Sequence, residues 1–425
     1  MKYAFTNCII LDGSKDMTPK EGLAVLVNED RIEALIPRDR IPEGFETVDL
    51  GGKTLLPGLI NMHIHIPSSG KPKKGKTDYN KIMKLLKLAP VRSFIKGQMA
   101  GLVMDQLLSG TTTVRAVGGI YDYDTELRDK INSGEKDGPR ILACNYAVSV
   151  PGGHMTGSVA LPAKSAEEAA LMVWELSKNK VDWIKLMITG GVLDAEIPGE
   201  PGVLKMPPEY IKAACDKAHE LGYKVAAHVE GTEGLEYALE YGVDTIEHGG
   251  KPSEKSRALF KEKGAALIAT LSPAMPFAVM DPAISGADEI GRINGKALLE
   301  NMIECIKACL EDGVPVGLGT DTGCPFVTHY DMWRELYYFN KYIGASPAEC
   351  IWRATGLNAE LAGISDVTGT IEAGKCADMM IVEGDPLKDL TVLRNVSMVV
   401  ARGKIFKDPK PKHNAKVDQA LDALM

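Results

Sequence analysis

Six residues that could serve a metal-dependent hydrolase stand at or near the ends of separate apolar segments. They are His63, His65, Lys185, His228, His248 and Asp321. Histidine nitrogens and carboxylate oxygens are the ligands of hydrolytic metal sites, which keep one coordination position open for water. Four of the eight histidines in the chain belong to this set. The pattern therefore predicts a metal site that activates water.

His63 and His65 form an H-x-H pair within the segment PGLINMHIHI. Side chains two residues apart lie on the same face of a strand, as a chelating pair requires. Pro57 and Gly58 indicate that this strand begins directly after a turn. Alone, the pair is explained as well by chance as by metal binding, so the hypothesis depends on the other four residues.

Three of those four residues also have a purely structural interpretation. A histidine that closes a short strand, such as His228 or His248, is more often a core or turn residue than a ligand. Asp321 lies in GTDTG, where a turn or capping role would also suit an aspartate. Two histidines on successive strands, after an H-x-H pair, favour the metal site. The glycines beside Asp321 would let metal and substrate approach the backbone.

Lys185 lies between two apolar residues in a segment that we expect to be a buried strand. A buried lysine must pair with a counter-charge or lose its proton. Two hypotheses stay open at this point. The amine forms an ion pair with a nearby carboxylate, or carbon dioxide carbamylates it to an anionic oxygen ligand that bridges two metal ions.

A repeated strand-then-helix rhythm runs through the middle of the chain. The predicted strands lie at 58–66, 111–117, 140–148, 183–190, 224–230, 245–248, 265–272 and 315–321. Helical patterns separate them, one beginning at Ser165, and several end at a glycine. Eight such units predict a (β/α)₈ TIM barrel, an α/β fold whose active site forms at the C-terminal ends of the strands. The six candidate ligands fall there.

Both ends of the chain have a different character. Short strand-like runs separated by Gly and Asp turns occupy residues 1–57 and return in residues 366–425, which indicates antiparallel hairpins. We expect the two ends to fold together into one composite β-sandwich domain. The barrel would then occupy residues 58–365.

Composition sets limits on partners and location. The net charge is −8, from 57 acidic and 49 basic residues, and this opposes binding to nucleic acid. The lysine-rich segment 71–76 is expected to be a solvated loop. The eight cysteines are scattered without a CxxC pair, and no segment has the apolar length of a membrane span or a secretion signal. These features predict a cytoplasmic protein that binds neither nucleic acid nor membrane.

The whole ligand order, together with PGLINMHIH, GTDTG, IKLMITGG and GGHMTG, resembles the amidohydrolase superfamily. The resemblance covers essentially the whole chain, and these motifs are most similar to the imidazolonepropionase-like and prolidase-like branch. It implies that His63, His65 and Asp321 hold one divalent metal ion. It also implies that His228 and His248 hold a second.

The resemblance further implies that carbamylated Lys185 bridges the two metals, for which zinc is the default. A bridging hydroxide would attack the substrate carbonyl. Asp321 would move the proton of that hydroxide to the leaving amine. The small molecule cleaved would be a dipeptide or an N-acyl amino acid, and a homo-oligomer is expected by analogy alone.

Three further residues are candidates for substrate binding. His154 follows two glycines after the third strand, and His329 follows the eighth strand. Glu230 stands two residues after His228, where prolidase-like members often carry tyrosine. An acidic residue there favours a cationic or hydrogen-bond-donating substrate, and it keeps a cyclic-amide hydrolase or a deaminase open as the alternative. A third hypothesis is a barrel without catalysis, which the intact ligand set opposes.

Overall fold

The computed structural model describes residues 1–72 and 79–425. Most of the lysine-rich segment 71–76 therefore lies outside the described residues. Two compact units divide the chain. The first comprises Met1–Met62, Val103–Val114 and Tyr330–Lys412, and the second comprises His63–Leu102, Arg115–His329 and His413–Met425. Among the helices described, none combines the length and apolar content that crossing a bilayer requires.

The strands are, in chain order, β1 (Lys2–Thr6), β2 (Ile9–Ile10), β3 (Leu23–Asn28), β4 (Arg31–Pro37), β5 (Glu46–Asp49), β6 (Thr54–Pro57), β7 (Leu59–Ile64), β8 (Thr111–Ala116), β9 (Arg140–Ala143), β10 (Ala147–Ser149), β11 (Ala160–Pro162), β12 (Trp183–Met187), β13 (Lys224–Val229), β14 (Thr245–His248), β15 (Ala266–Ala269), β16 (Val316–Leu318), β17 (Met379–Val382), β18 (Val396–Ala401) and β19 (Lys404–Lys407).

The α-helices are α1 (Tyr79–Leu85), α2 (Ala89–Leu108), α3 (Tyr123–Asn132), α4 (Ala166–Lys178), α5 (Pro208–Glu220), α6 (Thr232–Glu240), α7 (Glu254–Lys263), α8 (Met275–Ala278), α9 (Pro282–Ser285), α10 (Glu289–Glu311), α11 (Met332–Ile343), α12 (Pro347–Trp352), α13 (Asn358–Ala362) and α14 (Ala415–Asp422).

The first unit contains a β-sandwich built from both chain ends. One sheet has the strand order β4-β3-β1-β5, and the other has the order β19-β18-β17-β6-β2. A shared core joins them, with Phe5 and Val25 from the first sheet against Leu55 and Met379 from the second. All four side chains are fully buried, so their apolar surface holds the two sheets face to face. The predicted composite sandwich is confirmed.

The barrel strands are β7, β8, β9 and β12 to β16, and each lies within a predicted strand. Strands β12 to β16 pair in parallel, in chain order. The amide of His65 donates to the Thr322 carbonyl at 2.7 Å, and the amide of Asp321 donates to the His63 carbonyl at 2.9 Å. These bonds connect the first strand to the residues that follow the eighth. They bring the H-x-H pair beside Asp321, and the predicted α/β barrel is confirmed.

Local signals explain where the helices between strands begin and end. The hydroxyl of Ser165 accepts a hydrogen bond from the amide of Glu168, which caps α4 at the predicted residue. Helix α7 begins with a capping box at Ser253 and ends at Gly264, which has a left-handed backbone. One prediction needs correction. The strand expected at 140–148 is two strands, because Asn145 between them has φ 57°.

Candidate metal centre

The first ligand cluster consists of His63, His65 and Asp321, all in the second unit. Oδ1 of Asp321 lies 3.4 Å from Nε2 of His63 and 3.2 Å from Nε2 of His65. One carboxylate oxygen therefore faces two imidazole nitrogens at a separation typical of atoms that share one metal ion. The alternation of β7 and the bond that closes the barrel together produce this arrangement.

Outer partners orient both histidines of this cluster. Nδ1 of His63 lies 2.7 Å from Oε2 of Glu247, and the other oxygen of Glu247 accepts a hydrogen bond from Arg115 at 2.7 Å. Nδ1 of His65 lies 3.0 Å from the Gly118 carbonyl. Because a carboxylate or carbonyl oxygen only accepts, each Nδ1 carries the proton and each Nε2 is left for a metal.

The second cluster consists of His228, His248 and Glu230, whose donor atoms all lie within 4.8 Å of one another. Nδ1 of His248 lies 2.7 Å from the Thr270 hydroxyl, so Nε2 is available. Nε2 of His228 donates to the Gly190 carbonyl at 3.1 Å, which leaves Nδ1 as its ligand atom. Each imidazole thus has one nitrogen fixed by the protein and one free to bind.

Lys185 lies on β12 with a fully buried side chain. Its Nζ has no hydrogen-bond partner among the described residues. Burial lowers the pKa of Lys185 to about 8, and the positive charge of Arg115 adds to this effect while the negative charge of Glu247 opposes it. The charge of Lys185 also lowers the pKa of His63, after the larger effect of burial. Lys185 therefore lies beside the ligands, and its amine releases its proton more readily than that of an ordinary lysine.

The ionisation states of the cluster suit metal binding. Burial lowers the pKa of His63 and His228 well below the usual value, and that of His248 to about 4. Burial raises the pKa of Asp321, but the close contact with His65 and the neighbouring His63 and His248 lower it by more, so its pKa lies well below the usual range. Neutral imidazoles and an ionised carboxylate are the forms that bind a metal ion.

Two of the candidate ligands have strained backbones. His248 has φ 69° and Asp321 has φ 59°, in the left-handed region that side chains rarely adopt. Such residues cluster at functional sites. Gly319, two residues before Asp321, faces β7 so closely that an added Cβ would meet Cβ of His63 at 2.6 Å. Glycine at this position therefore permits the close approach of the two strands, and the expected approach of metal and substrate beside Asp321 stays a prediction.

The residues predicted to bind substrate, His154, Glu230 and His329, also lie in the second unit. The ring of His154 stacks on that of His228, with centroids 4.1 Å apart and an angle of 6°. The amide of Val192 donates to Oε2 of Glu230 at 3.0 Å. Burial raises the pKa of Glu230 well above its usual value, and the charge of Asp321 adds to the increase.

His329 has a different environment from His154 and Glu230. Its Nε2 lies 2.8 Å from the carbonyl of Ser68, and burial lowers its pKa to about 4. Ser68 follows β7, and its hydroxyl donates to the Gly323 carbonyl. The hydrogen bond of His329 therefore ties together the segments that follow the first and eighth strands, beside the first cluster.

Four side chains that contact the candidate site were not predicted from the sequence: Arg115, Asp194, Glu247 and Cys324. Arg115 and Glu247 are fully buried, and a charged residue inside an apolar strand was a usable signal that each needs a charged partner. Cys324 donates through Sγ to Oδ2 of Asp321 at 3.1 Å. Asp194 contacts His154 from a loop. For these last two, the sequence carries no local signal, because their contacts depend on the fold.

Comparison with known proteins identifies the family. The Amidohydrolase family profile matches residues 54–406. The chain belongs to the amidohydrolase family. The NagA composite domain matches residues 2–55 at the N-terminal end.

Individual relatives extend this assignment. Ochratoxinase of Aspergillus niger is 28% identical over 422 residues, which cover 91% of this chain and 83% of the relative. Imidazolonepropionase of Symbiobacterium thermophilum is 24% identical, with 93% and 92% covered. The structure of a candidate prolidase from Bifidobacterium longum is 33% identical with a TM-score of 0.88, covering 99% of this chain and 98% of that one.

A crystal structure of a Xaa-Pro dipeptidase with bound methionine in the active site is 28% identical with a TM-score of 0.83. It covers 96% of this amidohydrolase and 100% of the matched chain. The predicted imidazolonepropionase-like and prolidase-like branch is confirmed. The protein is a hydrolase that acts on carbon–nitrogen bonds, and the hypothesis of a non-catalytic barrel is set aside.

Proposed function

We propose that this amidohydrolase uses two divalent metal ions to cleave the amide bond of a small molecule, a dipeptide or an N-acyl amino acid. The observation that carries the proposal is the burial of Lys185, without a hydrogen-bond partner among the described residues, beside two clusters of imidazole and carboxylate donors. An isolated buried amine is costly unless it gains a partner. Conversion of the amine to a carbamate that binds metal ions would provide one.

The donors fit the metals that the family binds. His63, His65 and Asp321 would hold one ion, and His228 and His248 would hold the other. When bound, such ions supply a water of lowered pKa and polarise the substrate carbonyl. Zinc is the default for nitrogen and oxygen donors of this kind.

Lys185 would complete the site as a carbamate. The neutral amine nitrogen attacks carbon dioxide, a carbon–nitrogen bond forms, and the nitrogen releases a proton. The product keeps the nitrogen and carries a carboxylate group on it, whose two oxygens would serve as metal ligands. The lowered pKa of Lys185 supports this step, because only the neutral amine is nucleophilic.

The remaining side chains would handle protons and substrate. Asp321 takes a proton as water attacks the carbonyl, and it passes that proton to the leaving amine nitrogen. His154 and His329 contact substrate oxygens. Glu230 binds the substrate through Oε1, which lies 3.9 Å from Nε2 of His228. Since this nitrogen already donates to the Gly190 carbonyl, Glu230 lies beside the non-ligand nitrogen, which supports substrate binding over metal binding.

The relatives support an amide substrate. They include a Xaa-Pro dipeptidase and an ochratoxinase. The alternative is an imidazolonepropionase-like cyclic-amide hydrolase or a deaminase, and the acidic Glu230 is the observation that favours it. A small molecule as the sole partner, a homo-oligomer and a cytoplasmic location stay predictions.

Product analysis tests the proposal. The purified protein is incubated with a panel of dipeptides and N-acyl amino acids, and in parallel with cyclic amides and amino-substituted heterocycles. Release of a free amino acid supports the proposal. Release of ammonia, or ring opening without amino-acid release, replaces it with the alternative.

A further inference from the structure

A single short loop contacts three side chains of the candidate site. This loop, residues 190–194, follows the strand that carries Lys185. The Gly190 carbonyl accepts from Nε2 of His228 at 3.1 Å, and the Val192 amide donates to Glu230 at 3.0 Å. The carboxylate of Asp194 faces Nδ1 of His154. One loop thus fixes a ligand and both nearby candidates for substrate binding.

Asp194 holds His154 through both of its oxygens. Oδ1 and Oδ2 of Asp194 lie 3.2 Å and 3.1 Å from Nδ1 of His154. Burial raises the pKa of Asp194, but the hydrogen bond to His154 lowers it by more, and the charge of Lys205 assists. The ionised carboxylate can only accept, so Nδ1 of His154 carries a proton. Nε2 is then the nitrogen of His154 left for another partner.

The loop can approach this closely only because residue 191 is glycine. An added Cβ at Gly191 would meet Cε1 of His154 at 2.8 Å and Nε2 of His228 at 3.2 Å. The Gly191 amide also donates to Oδ1 of Asp194 at 2.7 Å, which fixes the carboxylate on the loop. The His154 ring is therefore held between the loop and the His228 ring, parallel to the latter.

We propose that Asp194 is a positioning residue that fixes the His154 ring so that Nε2 contacts a carbonyl or carboxylate oxygen of the substrate. The inference rests on the proposed function for the identity of that oxygen. Asp194 itself touches no reacting atom in this account. A rival interpretation is that Asp194 only closes the loop through its bond to Gly191.

Four variants separate the two interpretations: Asp194→Ala, Asp194→Asn, His154→Ala and the double variant Asp194→Ala with His154→Ala. Misplacement of a substrate-binding group costs up to about 10²-fold in kcat/KM, so we expect Asp194→Ala to lose about 30-fold. Asp194→Asn keeps an acceptor for Nδ1 and should recover about half of that loss on a logarithmic scale. In the His154→Ala background, Asp194→Ala should cost less than about 2-fold more, because the two residues act as one unit.

The C-terminal segment offers a matched control. Nδ1 of His413 lies 3.2 Å from Oδ2 of Asp418, the same kind of pair outside the site. Asp418→Ala should leave kcat/KM unchanged. Metal content per chain should equal that of the wild type in every variant, which separates positioning from loss of metal. Equal losses from Asp194→Ala with and without His154 would overturn the proposal in favour of loop closure.

A structural readout keeps the inference distinct from the proposed function. If the wild type cleaves no amide, the proposed function fails, but a crystal structure of Asp194→Ala still tests the positioning. A His154 ring that leaves the parallel stack with His228 supports the inference. A ring that keeps its place and orientation overturns it.

Discussion

Oε2 of Glu247 lies 2.7 Å from Nδ1 of His63, and both side chains are buried inside the barrel. The second oxygen of Glu247 accepts from Arg115 and from the hydroxyl of Thr245, each at 2.7 Å. Glu247 thereby links a candidate metal ligand to a buried guanidinium. The carboxylate sets the proton on Nδ1 of His63 and turns its Nε2 toward Asp321.

The Glu247→Gln variant tests this link. Glutamine has nearly the same shape but only one acceptor oxygen, which Arg115 and Thr245 would engage. Its amide nitrogen would then face Nδ1 of His63, which loses its acceptor while the barrel stays packed. Loss of such a partner typically lowers metal affinity about 10–100-fold. Metal retained after dialysis against a graded series of chelator concentrations measures the change. Glu240→Gln, at the exposed last residue of α6, is the control, and unchanged affinity in Glu247→Gln would contradict the role given to Glu247.

Lys185→Ala is expected to lose metal and activity together, because alanine cannot form the bridging carbamate. The fall in kcat should be on the order of 10²-fold or more. Short-chain carboxylic acids, which can occupy the space of the carbamate, should restore part of the metal content and the rate. Lys224→Ala, at the exposed start of β13, should change neither. Full activity in Lys185→Ala would rule out the binuclear site.

Glu230→Gln separates a substrate contact from a ligand. The buried carboxylate is expected to select a cationic or hydrogen-bond-donating group, so the variant should change kcat/KM about 10-fold or more and alter the order of preferred substrates. Metal content should remain close to that of the wild type. Loss of metal in this variant would instead make Glu230 a ligand of the second cluster.

Most of the framework followed from the sequence because the barrel depends on local patterns. Each apolar run beside a candidate ligand contains a strand, and the H-x-H spacing brings His63 in β7 and His65 directly after it into one cluster. The same rule fails at β14. Strict alternation would put Glu247 and His248 on opposite faces, but His248, the last residue of β14, has φ 69°, which turns its side chain away from that alternation. The sequence therefore could not predict the contact between Glu247 and His63, because no residue type indicates this backbone conformation.

The contacts made by Asp194 and Cys324 could not be predicted from the sequence, for a different reason. Both residues lie outside the strands, and their partners, His154 and Asp321, are reached through the paths of loops rather than by periodicity. The predicted single strand at 140–148 failed similarly. Asn145 in a left-handed conformation interrupts it, and asparagine tolerates that conformation without requiring it.

Asp124 predicts a dependence of stability on pH. Its carboxyl group is fully buried, and burial raises its pKa to about 7, with the charge of His65 opposing. A raised pKa in the folded state means that stability is present below the unfolded value near 4 and is lost as the pH rises through about 7.

The Asp124→Asn variant removes this titration. For metal-free protein at pH 8, we expect its free energy of unfolding to exceed that of the wild type by on the order of 2 kcal/mol, and the difference to shrink toward pH 4. Denaturant unfolding across that range provides the measurement. Asp122→Asn on the exposed side of the same segment is the control. A constant difference at every pH would contradict the pKa assigned to Asp124.

The central claim is that the two clusters hold two metal ions, and metal content per chain tests it most directly. Purified wild type should contain about two divalent ions per chain by mass spectrometry of the elements and should release an amino acid from at least one dipeptide or N-acyl amino acid. Asp321→Asn should lose metal from the first cluster and lose hydrolysis with the fold retained. A wild type that is active without bound metal, or an Asp321→Asn variant with full metal content and full activity, would contradict the account.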